Sequence, residues 1–381
     1  MEQIIRLQKE LSKQKLGALL ISSSYNIGYL TGFFGFSKIE REGYVLLTRD
    51  HTYFFASGLN SEAVSEHIEA FPSISLVEIS PRTLLTKKAL ADIIRKEKIK
   101  RLGFEKHNIV YSEFERLEKD LKVKLIPQEF LIENLRMIKT PQEIEAIEKA
   151  CRLGDVTFEY ILSVIKEGIT EKELAFELEF FIRRHGAEIS FPPIVAFGAN
   201  SSIPHHVSDD TQLTTNSWVL MDFGVKFDSF CSDMTRTVFV GRATKEQRHM
   251  YQTVLNSQQK AMEFIAKVQP SLRLNLYAKN VDKVARNYIT SQGFPTIPHS
   301  LGHGIGLEVH EPPRISPKSK DSLKTGMVFS IEPGIYIPAR NASANVAGGP
   351  GAGGVRIEDL VVLEEKGPRF LTTAKRKLIE L

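Results

Sequence analysis

The 381-residue sequence predicts an α+β protein of two domains: a smaller α/β domain over residues 1–132, and a larger one over residues 133–381 built from two related halves. Three observations predict it. Up to about residue 130, short apolar strand-like runs alternate with amphipathic helical stretches. From residue 133 the order helix, helix, strands occurs twice, each time in about a hundred residues. Apolar residues make up 42% of the chain, enough to fill two cores and too many for a disordered segment.

In the first domain an amphipathic helix opens the chain, and GALLISS then reads as a buried strand. YVLLTRD and HTYFFAS read as a strand pair, and SLVEIS, RLGFEK and VKLIPQE as later strands. TLLTKKALADIIRKEKIK, residues 83–100, reads as a helix between two of them. This part holds no phosphate loop, metal-ligand spacing or catalytic pair, so a structural or substrate-gating module is expected.

In the second domain Thr140, Pro141 and Glu143 form a helix start: a capping threonine, a proline at the first helical position and a capping-box glutamate. Ile144, Ile147, Phe158, Ile161, Leu162 and Ile165 supply the apolar stripe. Thr170 and Glu173 repeat the box for a second helix ending near Gly186, and strand-like sequence follows to Val240. Thr244 and Gln247 open a third helix, a fourth is expected from Asn275 to Gln292, and strands return to residue 365.

Lys and Arg total 50 against 46 Asp and Glu, a net charge of +4, so the balance predicts no nucleic-acid surface. Two cysteines, Cys151 and Cys231, do not make a disulfide framework and point to a reducing compartment. The charged N-terminus MEQIIRLQKELSKQK lacks the apolar centre of a signal peptide. No stretch approaches the ~20 apolar residues of a membrane span. A cytoplasmic protein is expected, and the Asn341-Ala342-Ser343 sequon is read as chance.

Two aspartates stand out in MDFGVKFDSFCSDMTRT, residues 221–237. With a hairpin turn centred between Phe227 and Asp228, Asp222 is expected directly opposite Asp233, with Cβ atoms about 4.5–5.5 Å apart. Two ionised aspartates at that distance repel, so one keeps a proton or a cation sits between them. Gly224, on the same face, is expected to leave room for an approaching group. Downstream, HSLGHGIGLEVHEPP sets His303 among Gly302, Gly304 and Gly306, where backbone can pack closely. MVFSIEPGIY puts Glu332 at the end of an apolar run, and GVRIEDLVVL puts Glu358 inside another. Four carboxylates and one imidazole are thus embedded in apolar strand sequence, and buried charge of one sign must be neutralised. The set matches two divalent metals, and its oxygen-rich chemistry suits Mn, Co, Fe(II) or Zn over Cu(I). Paired metals ~3.5–4 Å apart typically clamp a water for hydrolysis.

Asp222, Asp233, His303, Glu332 and Glu358, in the contexts DFG, SDMTRT, GHGIG, VHEPP, MVFSIEPGIY and VRIED, resemble the five-ligand set of the pita-bread metallopeptidases. That family includes methionine aminopeptidase, aminopeptidase P and prolidase, and the likeness spans about residues 133–381. SSSYNIGYLTGF in the first domain is similar to the creatinase-type N-terminal domain of the proline-directed members, which methionine aminopeptidases generally lack. Creatinase shares the fold but lacks the ligands, all five of which are present here. The resemblance implies two divalent ions, manganese first among Mn, Co, Zn and Fe. Asp233 and Glu358 would bridge them, Asp222 would chelate one, and His303 and Glu332 would complete the other. His205 in ANSSIPHHVSDD and His310 in VHEPP resemble the histidines that contact the reacting peptide bond, with His206 left open beside His205 by the spacing. Arg356 in VRIED resembles the arginine beside the last ligand. His206 and His299 are otherwise read as surface or packing residues.

The implied reaction is hydrolysis of the bond before proline, in dipeptides or at the N-terminus of short peptides. A water activated by the cations attacks the carbonyl, Glu332 passes its proton to the leaving nitrogen, and His205 and His310 stabilise the developing charge. The alternatives are a methionine aminopeptidase-like activity and a non-catalytic peptide-binding member of the same fold. The resemblance also implies a homodimer; no membrane or nucleic-acid partner is expected. The Gly-rich stretch at 341–353 departs from the shorter join usual in the family and is read as a solvated insertion. A strand rather than a helix follows it, so it is not a phosphate loop.

Overall fold

Runs of consecutive apolar residues such as ALLI and TYFFAS bury side chains on both faces only inside a sheet covered on both sides. The first unit, Met1–Arg136, builds such a sheet. Its strands are β1 (Ala18–Ile21), β2 (Gly43–Thr48), β3 (Thr52–Ser57), β4 (Ile74–Ile79), β5 (Arg101–Glu105) and β6 (Lys124–Gln128), in the order β4-β3-β2-β1-β5-β6. The first three are antiparallel neighbours, and the others join in parallel. Every residue of β1, β2 and β3 is buried. Helices α1 (Glu2–Lys13), α2 (Ser24–Thr31), α3 (Ser61–Ile68), α4 (Lys87–Lys96), α5 (Tyr111–Asp120) and the single turn α6 (Glu133–Arg136) complete the unit. Glu105, at the end of β5, is buried against the start of α2, where it accepts from the amides of Ser22 (2.6 Å) and Ser23 (2.8 Å). A carboxylate there satisfies amide donors and complements the helix dipole.

This computed structural model describes residues 2–79, 87–268, 276–338 and 351–381. The expected helix at 83–100 is found at Lys87–Lys96, with residues 83–86 outside the described set. Asn275, the Asn341 sequon and residues 341–350 of the Gly-rich stretch also lie outside it. No helix among the described residues is long and apolar enough to cross a membrane.

The second unit, Met137–Leu381, follows the doubled order read from the sequence. Helices α7 (Pro141–Leu162) and α8 (Glu171–Arg184) each begin in the expected capping box. They precede β7 (Glu188–Ile189), β8 (Ile194–Phe197), β9 (Ser217–Phe223), β10 (Val225–Phe227), β11 (Phe230–Cys231) and β12 (Met234–Val240). Helices α9 (Lys245–Val268) and α10 (Ala278–Ser291) then precede β13 (Gly302–Gly304), β14 (Glu311–Ile315), β15 (Val328–Ile331), β16 (Gly334–Ile337), β17 (Gly353–Arg356), β18 (Asp359–Glu364) and β19 (Gly367–Phe370). Each helix pair lays its apolar face on the strands that follow it. Ile161 and Leu178 pack with Val219 and Met221 in the first half, and Val254 and Ile289 with Phe329 and Val361 in the second.

The hairpin carrying the two aspartates departs from the expected register. Asp228 and Ser229 take φ of 47° and 71°, so both central turn residues are left-handed, as a tight two-residue hairpin turn requires. The turn therefore centres between Asp228 and Ser229, and Phe227 pairs with Phe230. A one-residue shift of the turn moves every cross-strand partner by two, so Asp222 faces Thr235 rather than Asp233. Asp233 lies diagonally across on the same face, where Cβ atoms are separated by somewhat less than ~7–8 Å. Nor does Gly224 leave open room. A Cβ there would sit 2.0 Å from the carbonyl oxygen of Ser232, so the facing strand takes the space.

A buried ion pair anchors the second half. Lys139 Nζ meets Glu311 Oε1 at 2.6 Å, each side chain 2% exposed, and the Lys139 amide donates to Gly326 (2.8 Å). The pair ties the chain just before α7 to β14. Removing the cation from a buried carboxylate costs more than removing both partners. Lys139→Met is expected to destabilise this unit by about 3–5 kcal/mol, and Lys139→Met with Glu311→Leu to recover most of that loss. Denaturant midpoints of the two variants and the parent protein check this.

Candidate metal centre

The five residues singled out from sequence come from five different segments, and the second unit brings them together. Asp222 is near the end of β9, Asp233 precedes β12, and His303 sits in the middle of β13. Glu332 follows β15, and Glu358 precedes β18. His303 Nε2 lies 3.6 Å from Asp233 Oδ2 and 3.4 Å from Glu332 Oε1. Donor atoms of Asp233, His303 and Glu358 all fall within 4.8 Å of one another, close enough to share one cation. Asp222 is joined to the set through charge: its carboxylate raises the pKa of Asp233, Glu358 and Glu332 alike.

Local sequence accounts for the tight gathering. A Cβ on Gly302 would fall 1.9 Å from the Ser330 carbonyl oxygen, and one on Gly304 would fall 2.2 Å from that of Pro312. Only glycines let β13 approach its neighbours so closely. The register slips between His303 and Gly304, a bulge that re-aims the side chain. His303 Nδ1 lies 3.1 Å from the Gly304 carbonyl oxygen, which as acceptor places the proton on Nδ1 and leaves Nε2 a lone pair facing the carboxylates.

Like charge and burial dominate the electrostatics. Burial first, then Glu358 and Asp222, push the Asp233 carboxyl well above the usual range. Burial first, then Glu332 and Asp222, do the same to Glu358. Glu332 is raised to about 7, chiefly by burial. His303 is held below its ordinary value by burial. Three carboxylate oxygens, Oδ1 of Asp222, Oδ1 of Asp233 and Oε1 of Glu358, are buried and find no hydrogen-bond donor among the described residues. A buried acceptor without a donor is costly, and three of them around one imidazole lone pair have the chemistry of a cation site. The donor set fits two divalent metals.

The remaining contacts hold these groups in place. Arg356 donates through Nη2 to Asp222 Oδ2 (2.5 Å), through Nε to Thr235 Oγ1 (3.0 Å) and through Nη1 to the Tyr336 hydroxyl (2.9 Å). Thr235 Oγ1 in turn donates to Glu358 Oε2 (2.7 Å). The fully buried Arg236 donates to Asp359 Oδ1 and the Glu358 carbonyl, both at 2.6 Å, fixing the backbone that presents Glu358. Ser330 Oγ donates to Glu332 Oε1 (3.1 Å).

The histidines separate. The His310 ring meets the His303 ring edge-on at 4.3 Å, and chiefly burial lowers its pKa to about 4. His205 is exposed. His206, left open by the spacing, turns away to Glu171, with Nε2 at 2.6 Å from Oε2. Its side chain is only 9% exposed, a packing residue rather than a surface one. His299, read from sequence as surface or packing, is packed beside the centre: Nε2 lies 2.9 Å from the Tyr336 hydroxyl and Nδ1 3.9 Å from Glu332 Oε2. Sequence reasoning missed Thr235, Arg236 and Tyr336. Alternation offered a signal for two of them: Thr235 is two residues beyond Asp233, and Tyr336 two beyond Gly334, each on a strand already assigned.

The family model of metallopeptidase family M24 matches residues 145–365, and that of the Creatinase/Prolidase N-terminal domain matches residues 3–138. The chain belongs to metallopeptidase family M24. This M24 member is 34% identical to an Xaa-Pro dipeptidase of Pyrococcus horikoshii, over 99% of each chain. Among solved structures it resembles the Xaa-Pro dipeptidase from Bacillus anthracis, with TM-score 0.88, 33% identity, and 100% of this chain and 99% of the other covered. It also resembles an X-Pro aminopeptidase from Thermotoga maritima, with TM-score 0.81, 29% identity, and 96% and 98% covered. The fold is thus a creatinase-type N-terminal domain followed by a pita-bread domain, as the sequence implied. The chain is a metal-dependent peptidase of a dinuclear family.

Protons and cations compete for these carboxylates. In the metal-free protein the raised pKa values mean that the folded state holds protons the unfolded chain gives up near pH 4.3. Metal-free stability therefore falls as pH rises from there through about 7, the value for Glu332. Cations take the ionised form, so their stabilising effect grows over the same range. Melting the chelator-treated protein with and without Mn²⁺ or Co²⁺ is expected to show a larger upward shift at pH 8 than at pH 6.

Proposed function

We propose that the chain hydrolyses the peptide bond before proline, in Xaa-Pro dipeptides or at the N-terminus of short Xaa-Pro peptides, with Asp222, Asp233, His303, Glu332 and Glu358 holding two divalent cations. The observation that carries the reading is the buried cluster of unsatisfied carboxylate oxygens around the His303 lone pair. The proline-directed part is supported by the creatinase-type N-terminal domain and by the relatives named for Xaa-Pro cleavage. Asp222 would help hold one cation, His303 and Glu332 the other, and Asp233 and Glu358 would serve both. When bound, the cations supply Lewis acidity and a water acidic enough to attack at neutral pH.

The chain's own residues do the rest. Arg356 shares the Asp222 charge, fixing that carboxylate's orientation. Glu332, oriented by Ser330, takes the proton from the attacking water and delivers it to the proline nitrogen as the C–N bond breaks. His205 and His310 steady the substrate and stabilise negative charge developing on the carbonyl oxygen. Manganese is the proposed ion, since oxygen-rich coordination with one imidazole suits a hard divalent metal. A reducing, cytoplasmic setting is supported by two buried cysteines that form no disulfide. A homodimer is proposed with it, to be checked by light scattering.

The likeness to both an Xaa-Pro dipeptidase and an X-Pro aminopeptidase gives specificity two readings, of which the dipeptidase carries the higher identity. Turnover of Gly-Pro without turnover of Arg-Pro-Pro is expected, and the reverse assigns the aminopeptidase. Asp233→Asn is expected to reduce turnover by more than the about 10- to 100-fold typical of losing a ligand's hydrogen-bond partner. Its metal stoichiometry should fall while its circular dichroism stays unchanged. Full activity with two metals bound in that variant would reject the bridging role.

A further inference from the structure

Glu171, the first residue of α8, is fully buried, and four groups from the segment 197–209, which begins at the end of β8, converge on it. Its Oε1 accepts from the Phe197 amide (2.7 Å) and from Asn200 Nδ2 (3.0 Å). Its Oε2 accepts from the Asp209 amide (3.1 Å) and meets His206 Nε2 at 2.6 Å. Glu171, His206 and Asp209 stand near enough to hold a cation on distance alone. Here, however, both Glu171 oxygens are engaged, and Asp209 Oδ1 accepts from the Thr211 amide (2.8 Å). The arrangement is a clasp: one buried charge satisfied by donors spread over residues 197–209.

His205 lies inside that clasped loop, and both of its neighbours are tied down. On one side the Pro204 carbonyl accepts from Arg356 Nη1 (3.2 Å). On the other the His206 ring is held by Glu171. Among the described residues the His205 ring itself has no hydrogen-bond partner and is exposed, and the Pro204 carbonyl before it is held by the same Arg356 that binds Asp222. A side chain with no bond of its own takes its position from the backbone beneath it.

We infer that Glu171 is a positioning residue: by holding His206, Asn200 and the backbone of residues 197–209, it sets the His205 ring against the reacting peptide bond. The inference rests on the role given to His205 in the proposed function. It also explains why a carboxylate stands there. Four donors need two acceptor oxygens, and the amide nitrogen of a glutamine accepts none.

The test is a double-mutant cycle on the metal-loaded, full-length protein with an Xaa-Pro dipeptide. Glu171→Gln is expected to lower kcat by about 10- to 100-fold, the scale of a misplaced catalytic group. Metal stoichiometry should be unchanged, and adding Glu171→Gln to His205→Ala should cost nothing further, because the clasp acts through the residue already removed. His206→Asn, which loosens one of the four tethers, is expected to show a smaller loss with the same non-additivity, and it keeps the test open if Glu171→Gln does not fold. Losses that multiply in the double variants, or a parental kcat in both single variants, would overturn the inference. A parental kcat in His205→Ala would instead overturn the role of His205, and this inference with it.

Discussion

Gathering four carboxylates from the strand ends of two sheets into one largely buried cluster is the constraint to which the rest of this structure answers. Asp233 and Glu358 are nearly inaccessible, with donor oxygens within 4.8 Å of each other, and Asp222 and Glu332 add their charge to the same space. Such a cluster is unfavourable in a low-dielectric interior unless positive charge enters it. Among the described residues Arg356 supplies a permanent cation and His303 Nε2 a neutral lone pair. The three carboxylate oxygens left without donors define what else must come in. A metallopeptidase site is, on this view, an electrostatic debt written into the fold and settled by ions.

Such a cluster also demands a rigid surround, since carboxylates free to turn outward would find water. The strands supply it. Glycines let backbones close to distances no side chain permits at Gly224, Gly302 and Gly304, and each contact lies beside a member of the cluster. Thr235 and Thr237 stitch β12 to residues 356–358, Thr237 Oγ1 donating to the Arg356 carbonyl (2.9 Å). Gln258 reaches from α9 to Asp359 Oδ2 (2.9 Å), joining a helix of the second half to the strand that follows Glu358. Outside the centre, Arg236 and Asp359 bond to each other, and Arg236 also to backbone and Asp359 to Thr372, so this pair specifies geometry without adding net charge.

Much of this was legible in the sequence because it depends on residue type and local spacing. Capping boxes at Thr140 and Thr170 mark helix starts through bonds between neighbours three apart, and they form where expected. Carboxylates inside or at the end of apolar runs marked Glu332 and Glu358, because a charge in a strand-like run is costly enough to need a reason. The hairpin register was less legible. The choice between a turn at Phe227-Asp228 and one at Asp228-Ser229 rests on which residues tolerate positive φ, and it decides whether Asp222 faces Asp233 or Thr235.

What the sequence by itself determined is which carboxylates and which histidine stand inside apolar strand runs, and the order of the elements that carry them. Which donors meet was decided only in three dimensions. Adjacent histidines 205 and 206 are alike as letters, and a buried carboxylate 35 residues away turns one of them aside. Arg356 acquires its role from Asp222, 134 positions earlier. Long-range pairings of this kind follow from strand register and helix packing, which no local pattern encodes, and so the tertiary structure alone settles which charges share a site.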